Sequence, residues 1–380
     1  MKIAILGTKG IPNNYGGYEQ FAEYVSQRLV KKGHDVTVYN PSFHKFKKTS
    51  FNGVKIIHKF SPESSLGSGI ANIIYDFLCL RDALSRDFDI IYEAGYHSVA
   101  PAYKILNVKK LRNPVLLTNM DGLEWKRSKW NKIVQGIIKK LEHVAVNHSP
   151  HLIADNVGIA EYLKDKFSKD SYFLPYGADP VTSFDVTHLS SYQLYPFQYF
   201  IIVARLEPEN NIEPVIDGYI DSGSPLPMIV VGSHETGYGR TLKSKYITNK
   251  VHFVGGIYSK PKLDALRHFA LFYFHGHSVG GTNPSLLEAM ACKCFIVANN
   301  NPFNKAVLGR DAEYFDNADE VKQVICQAES LHSKNAGAFQ GRNFEKIEKL
   351  YNWDTIVQKH IALFTQLLNN SNLSNNRQMP

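Results

Sequence analysis

The chain has 380 residues, 44% apolar and 21% charged, a balance that folds and that excludes intrinsic disorder, collagen and coiled coil as overall descriptions; its length suggests two domains. The net charge of +8 lies wholly in the first half, where residues 1–180 hold 25 Lys/Arg against 17 Asp/Glu while residues 181–380 hold 18 against 18. Such a one-sided basic field favours an anionic partner, whether phosphate, membrane surface or nucleic acid.

Lys2-Ile3-Ala4-Ile5-Leu6 is a short apolar run ending at Gly7, as in a buried parallel strand, and a glycine-rich loop follows through Gly17. Phe21, Val25 and Leu29 then share one helical face, and Lys31-Lys32-Gly33 supplies cations and a glycine where that helix should stop. Asp35 to Tyr39 reads as the second strand, so the opening is the start of a doubly wound α/β sheet. Further strands are expected at Ile90 to Tyr92, Val115 to Leu117 and Phe173 to Pro175, which closes a first Rossmann-like domain near residue 180. After a turn-rich stretch, a second domain of the same kind over residues 197–353 has strands at Phe200 to Ala204, Met228 to Val231, Val251 to Val254, Leu271 to Phe274 and Phe295 to Val297. A closing helix over about 354–368 carries Val357, Ile361, Phe364 and Leu368 on one face, and the Asn/Ser-rich tail 369–380 is expected to be disordered.

Several function classes fall away on these patterns. The longest apolar stretches are about a quarter of the roughly 20 residues that cross a bilayer, and Ile3 to Leu6 is far shorter than the roughly 7–15-residue core of a signal peptide, so a cytoplasmic location is expected. Cys79, Cys292, Cys294 and Cys326 form no paired metal pattern and read as buried or incidental thiols. Gly7 to Glu19 lacks the spacing of a Walker A loop and of a dinucleotide fingerprint, and Asn40 stands where a ribose-binding acid would be expected. Asp87-Phe88-Asp89 precedes its strand, which puts it at the closed end of the sheet and argues against a D-x-D metal site.

What remains lies in loops after strands. Gly16-Gly17 lets backbone N–H groups approach an anion at a helix N-terminus, although a flexible turn is the competing reading. Arg205 follows the first strand of the second domain, where its fork of donors suits phosphate oxygens. Gly281-Thr282-Asn283 sets bare backbone donors ahead of a helix, and Glu288 within that helix, among Leu287, Ala289 and Met290, needs a partner such as ribose hydroxyls. His275 and His277 lack a third metal ligand with sensible spacing and read as hydrogen-bonding groups for a sugar hydroxyl or phosphate.

With these segments in order, together with Leu174 to Asp179, Val251 to Gly255, Leu287 to Ala291 and Asn352-Trp353, the chain resembles a retaining glycosyltransferase of the GT-B fold, in the large family 4. That resemblance implies two Rossmann-like domains facing a cleft, with the closing helix crossing back to the first domain. Asn13 to Glu19, Asp121 to Arg127 and Gly281 to Ser285 are similar to the bacterial rhamnosyltransferase subgroup. The implied reaction is transfer of L-rhamnose from dTDP-L-rhamnose to a saccharide on a polyprenyl diphosphate. Arg205, with the amides around Gly17 and around Gly281, Thr282 and Asn283, would hold the leaving diphosphate without a metal or other cofactor; Glu288 would take the ribose and Asp121 would orient sugar or acceptor.

The chain also departs from the family. Gly280 stands where the first glutamate of a pair is common, Asn210 where a clamp lysine is expected, and the family's first-domain histidine near the donor sugar has no counterpart in the loop after Leu117, Asp121 being the nearest candidate. A UDP- or GDP-hexose donor is the alternative, as is a catalytically idle nucleotide-sugar-binding subunit. Trp125 to Lys132, with Lys139-Lys140, interleaves aromatics and cations and suggests peripheral contact with an anionic membrane; no nucleic-acid-binding module accompanies it.

Overall fold

A computed structural model describes residues 1–376 other than Tyr15, Arg112, Lys129 and Asn249. Tyr15 of the glycine loop, Lys129 of the basic stretch and residues 377–380 of the tail therefore lie outside the described residues. The chain divides into one unit of Met1–Trp125, Trp130–Tyr176 and Trp353–Pro380, and another of Lys126–Lys129 and Gly177–Asn352.

The first unit is built on β1 (Lys2–Leu6), β2 (Asp35–Pro41), β3 (Ser50–Phe51), β4 (Val54–Lys59), β5 (Ile90–Glu93), β6 (Val115–Asn119), β7 (His151–Ala154) and β8 (Tyr172–Phe173). Their order across the sheet is β3-β4-β2-β1-β5-β6-β7-β8, and all neighbours are parallel except the β3–β4 hairpin. β1 sits at the centre with Ile3 opposite both Val36 and Ile90, which explains its unbroken apolar run: both faces are covered. The helix Gly17–Lys31 buries Phe21, Ala22, Val25 and Leu29. Trp353 of the closing helix stacks on Tyr24 at 5.2 Å and belongs to this unit.

That closing helix spans Trp353–Asn376, eight residues beyond the expected end at Leu368. Its buried side is also offset: Ile356, Val357, His360, Leu363, Phe364 and Leu367 are buried, whereas Ile361 and Leu368 are only half-buried. Ring packing of His360 against Phe21 and Tyr92, each at 5.6 Å, draws the stripe round by one residue.

The second unit holds β9 (Phe200–Val203), β10 (Met228–Val231), β11 (Val251–Gly255), β12 (Phe272–His275), β13 (Ile296–Asn299) and β14 (Glu313–Phe315) in the order β11-β10-β9-β12-β13-β14, all parallel. One face buries Phe200, Ile202, Phe272 and Phe274 beneath Val215, Ile216 and Tyr219 of the helix Ile212–Ser222. Of the strands that sequence patterning missed, β3, β7 and β14 have only two to four residues, and β4 (Val54–Lys59) interleaves Lys55, His58 and Lys59 with its apolar residues. Cys79, Cys292 and Cys294 are buried and Cys326 is exposed, all as free thiols.

Candidate active site

In the second unit the loops after β9 and β12 are stitched together. Arg205 is exposed at the carboxyl end of β9, and its carbonyl accepts a hydrogen bond from Asn210 Nδ2 at 2.7 Å. Asn210 is buried, so the residue standing where a lysine was expected adds no charge and instead pins the backbone of Arg205. Asn211 Nδ2 donates to the Gly276 carbonyl at 2.8 Å, while Ser278 donates through both N and Oγ to the Glu209 carbonyl at 3.0 and 2.8 Å. Two glycines permit this closeness: a Cβ at Gly232 would lie 2.1 Å from the Ala204 carbonyl oxygen, and one at Gly276 would lie 2.1 Å from that of Asn210.

Gly281, Thr282 and Asn283 lead from this loop into the helix Pro284–Ala291. Asn283 caps that helix, its Oδ1 accepting from Ser285 N at 2.9 Å, so its side chain serves the helix start itself. Thr282 is buried and Gly280 takes a φ of +139°, open to glycine alone at little cost. Glu288, one turn further on, is drawn to Arg267, whose Nη2 lies 2.6 Å from its Oε2.

His275 and His277 stack at 4.4 Å with planes 14° apart. Burial, with the Arg267 charge adding to it, lowers His275 to about 3; burial, then His275, Arg205 and Arg127, hold His277 well below its ordinary value. Both imidazoles are therefore neutral hydrogen-bonding groups at physiological pH, of a kind that suits a hydroxyl or a phosphate oxygen. Among the described residues, no group of three or more His, Cys, Asp or Glu is placed to hold a metal ion.

Arg127, from the short segment that packs with the second unit, brings Nη1 to 3.5 Å from Glu209 Oε1, and Ser128 Oγ donates to Glu209 Oε2 at 3.2 Å. Arg127 is thus a further cation whose field reaches His277, a role that its place in a basic stretch did not reveal.

In the first unit, Gly16 and Gly17 open the helix that follows β1, and Gln20 N donates to the Gly16 carbonyl at 3.0 Å. Tyr18 in that first turn donates to Asp121 Oδ2, which stands just beyond β6. The structure thereby brings Gly16, Gly17 and Asp121 together at the carboxyl ends of neighbouring parts of one sheet. Asp121 holds a positive φ of 32°, and its N–H donates to Asn119 Oδ1 at 3.1 Å. Burial, followed by the Asp121 charge, keeps the Tyr18 phenol well above its ordinary value, so it acts as a donor throughout the physiological range. Asp87 and Asp89 sit at the opposite edge and bond Lys2, at 2.6 Å to Nζ and 2.7 Å to the backbone N–H.

Two parallel α/β sheets with these loops at their carboxyl ends define a GT-B-type fold. Residues 196–316 match the family model of glycosyl transferases group 1, and residues 1–179 match a domain of unknown function, DUF1972. An uncharacterized glycosyltransferase of Methanocaldococcus jannaschii is 25% identical over 188 residues, covering 44% of this chain and 45% of that protein. The chain thus spans about half the length of the curated relatives it matches. Among solved structures, sucrose-phosphate synthase from Thermosynechococcus elongatus superposes with a TM-score of 0.77 at 15% identity, covering 97% of this chain and 99% of that one. Anabaena HepE, solved in complex with UDP and glucose, superposes at 0.74 with 15% identity over 96% of this chain and 100% of its own.

Proposed function

We propose that the protein is a retaining glycosyltransferase that moves L-rhamnose from dTDP-L-rhamnose to a saccharide acceptor carried on a polyprenyl diphosphate. The observation that carries the transferase reading is the exposed Arg205 at the end of β9, on a loop hydrogen-bonded to Gly276 and Ser278 of the loop that leads to the helix Pro284–Ala291. The rhamnose reading rests on the segments Asn13 to Glu19, Asp121 to Arg127 and Gly281 to Ser285. The bond from the anomeric carbon to the diphosphate oxygen breaks as the acceptor oxygen bonds to that carbon on the same face, and the acceptor proton passes to the leaving diphosphate. Arg205 and the amides of Gly281 to Asn283 stabilise the charge that develops, Arg127 adds to the field, and no metal is required. Glu288 receives the ribose, while Asp121, held by Tyr18, orients sugar or acceptor.

The discriminating experiment measures transfer from dTDP-L-rhamnose, UDP-glucose, UDP-N-acetylglucosamine and GDP-mannose, each with and without EDTA, to a lipid-diphosphate sugar. Selective use of dTDP-L-rhamnose unaffected by EDTA is the expected result. The second reading, a UDP-hexose donor, is favoured by the UDP and glucose bound to HepE, and preference for UDP-glucose would establish it. Loss of activity in EDTA would overturn the metal-free clamp.

A lipid-linked acceptor requires approach to a membrane, and no helix among the described residues is long and apolar enough to cross one. Peripheral docking is supported by the helix Lys132–His148, which exposes Ile133 by 76% and Ile137 by 53% beside exposed Lys132, Lys139 and Lys140. The tryptophans of the basic stretch contribute less than the sequence suggested: Trp125 Nε1 donates to Glu142 and Trp130 Nε1 to Glu124, both at 3.1 Å. Each cation near an anionic bilayer is worth about 1 kcal/mol. Co-sedimentation with vesicles containing anionic lipid should fall several-fold in the double variant Ile133→Glu, Ile137→Glu, and binding indifferent to anionic lipid would remove the docking reading.

A further inference from the structure

Arg267 ends the helix Lys260–His268, where a cation ordinarily faces solvent and complements the helix dipole. Here its side chain is only 2% exposed. Its Nη2 lies 2.6 Å from Glu288 Oε2 and 3.4 Å from Ser285 Oγ, and its Nη1 lies 3.5 Å from Asp264 Oδ1. Asp264 is bridged in turn by Lys260, and Tyr273 and Ser285 share a hydrogen bond of 2.7 Å on the other side. Burial opposes the Arg267 charge, yet Glu288 foremost, then Tyr273, Cys292 and Asp264, hold its affinity for the proton above the ordinary value.

Desolvating a guanidinium costs several kcal/mol, and packing alone would be served as well by an apolar side chain of similar volume. The arrangement has a direction that packing does not explain: the buried guanidinium holds Nη2 at 2.6 Å from Glu288 Oε2 while the Glu288 side chain keeps 21% exposure. We propose that Arg267 is a positioning residue for donor binding, fixing the Glu288 carboxylate so that its exposed edge accepts a hydroxyl of the nucleotide's ribose. This rests on the nucleotide-sugar reading above and adds to it the residue that sets how strongly the ribose is read.

The test pairs a change in the protein with a change in the ligand. Affinities of the full chain for dTDP and for its 3′-deoxy analogue are measured calorimetrically, with wild type and Arg267→Met. A hydrogen bond to a charged group predicts that loss of the hydroxyl costs wild type about ten- to a hundredfold in Kd. In Arg267→Met that penalty should shrink to about threefold or less, with affinity for the deoxy analogue nearly unchanged. A merely structural role would weaken both ligands alike and keep the penalty, which overturns the inference. If Arg267→Met does not fold, Arg267→Lys retains the charge without the fork and should still cut the penalty at least fivefold; an undiminished penalty again overturns it. Wild type that binds neither nucleotide would sink the nucleotide-sugar reading itself, and this inference with it. Wild type that binds both equally would sink the role of Arg267 and Glu288 alone.

Discussion

Arg205→Ala is expected to lower kcat roughly 30- to 1,000-fold, the equivalent of about 2–4 kcal/mol of transition-state stabilisation, while leaving the melting temperature nearly unchanged. The separation of the two effects follows from the structure. The side chain is exposed, so its removal deletes little packing, and the backbone that carries it is held by other groups: Asn210 at its carbonyl, with Gly232 and Gly276 allowing the neighbouring strand ends to close on the loop. Arg205→Lys keeps the charge but loses the planar fork, and a deficit of about tenfold is expected. Steady-state kinetics beside a thermal melt decide the matter. A near-normal rate in Arg205→Ala would remove the diphosphate clamp, and a collapse of the melt would show that the residue serves the fold.

The legibility of this site in the sequence divides along a physical line. Arg205, Gly281 to Asn283 and Gly16-Gly17 could be found because each follows a strand whose apolar run is unmistakable, and a parallel sheet presents such positions at its open end. The same rule correctly set Asp87 and Asp89 at the closed end, where they bond Lys2. Residues that act through partners left no such trace. Arg267 and Glu288 are 21 positions apart on two helices, and nothing in Leu266-Arg267-His268 distinguishes a buried guanidinium from a solvated one at a helix end. Asn210 looked like the loss of a lysine because sequence offers a charge to count; its gain, a hydrogen bond to a backbone carbonyl, has no signature. The closing helix was recognised by its period, but its buried stripe depends on His360 packing between Phe21 and Tyr92, which no helical wheel contains.

Asp76→Asn should stabilise the first unit by roughly 4 kcal/mol above pH 7 and by almost nothing near pH 4. Asp76 is buried and is raised from 3.8 to about 7, first by burial, with a hydrogen bond from Ser98 and the charge of Lys9 acting the other way. Beside it in the same core is Glu93, wholly buried at the end of β5, with neither carboxylate oxygen bonded to a partner among the described residues; burial first, then Asp76, keeps it well above its ordinary value. Between about pH 4 and pH 7 the folded chain keeps the Asp76 proton while the unfolded chain releases it, so stability falls as pH rises through that window and levels off above it. An asparagine removes the titration and with it the loss. Glu93→Gln acts in the same direction, whereas Gly7→Ala must destabilise at every pH, since a Cβ there would meet Glu93 Oε1 at 2.1 Å on a backbone with φ of +77°. Denaturant melts of wild type and Asp76→Asn at pH 4 and pH 8 separate charge from packing: equal gains at both would assign the effect to shape. A gain confined to pH 8 would show that the chain retains a destabilising acid close to the carboxyl ends of β1 and β5, the edge where Gly16, Gly17 and Asp121 also meet. Stability given up at such an edge is characteristic of a functional site, so transfer rate should be measured on the same variant, with a fall in rate alongside the gain in stability as the expected pairing.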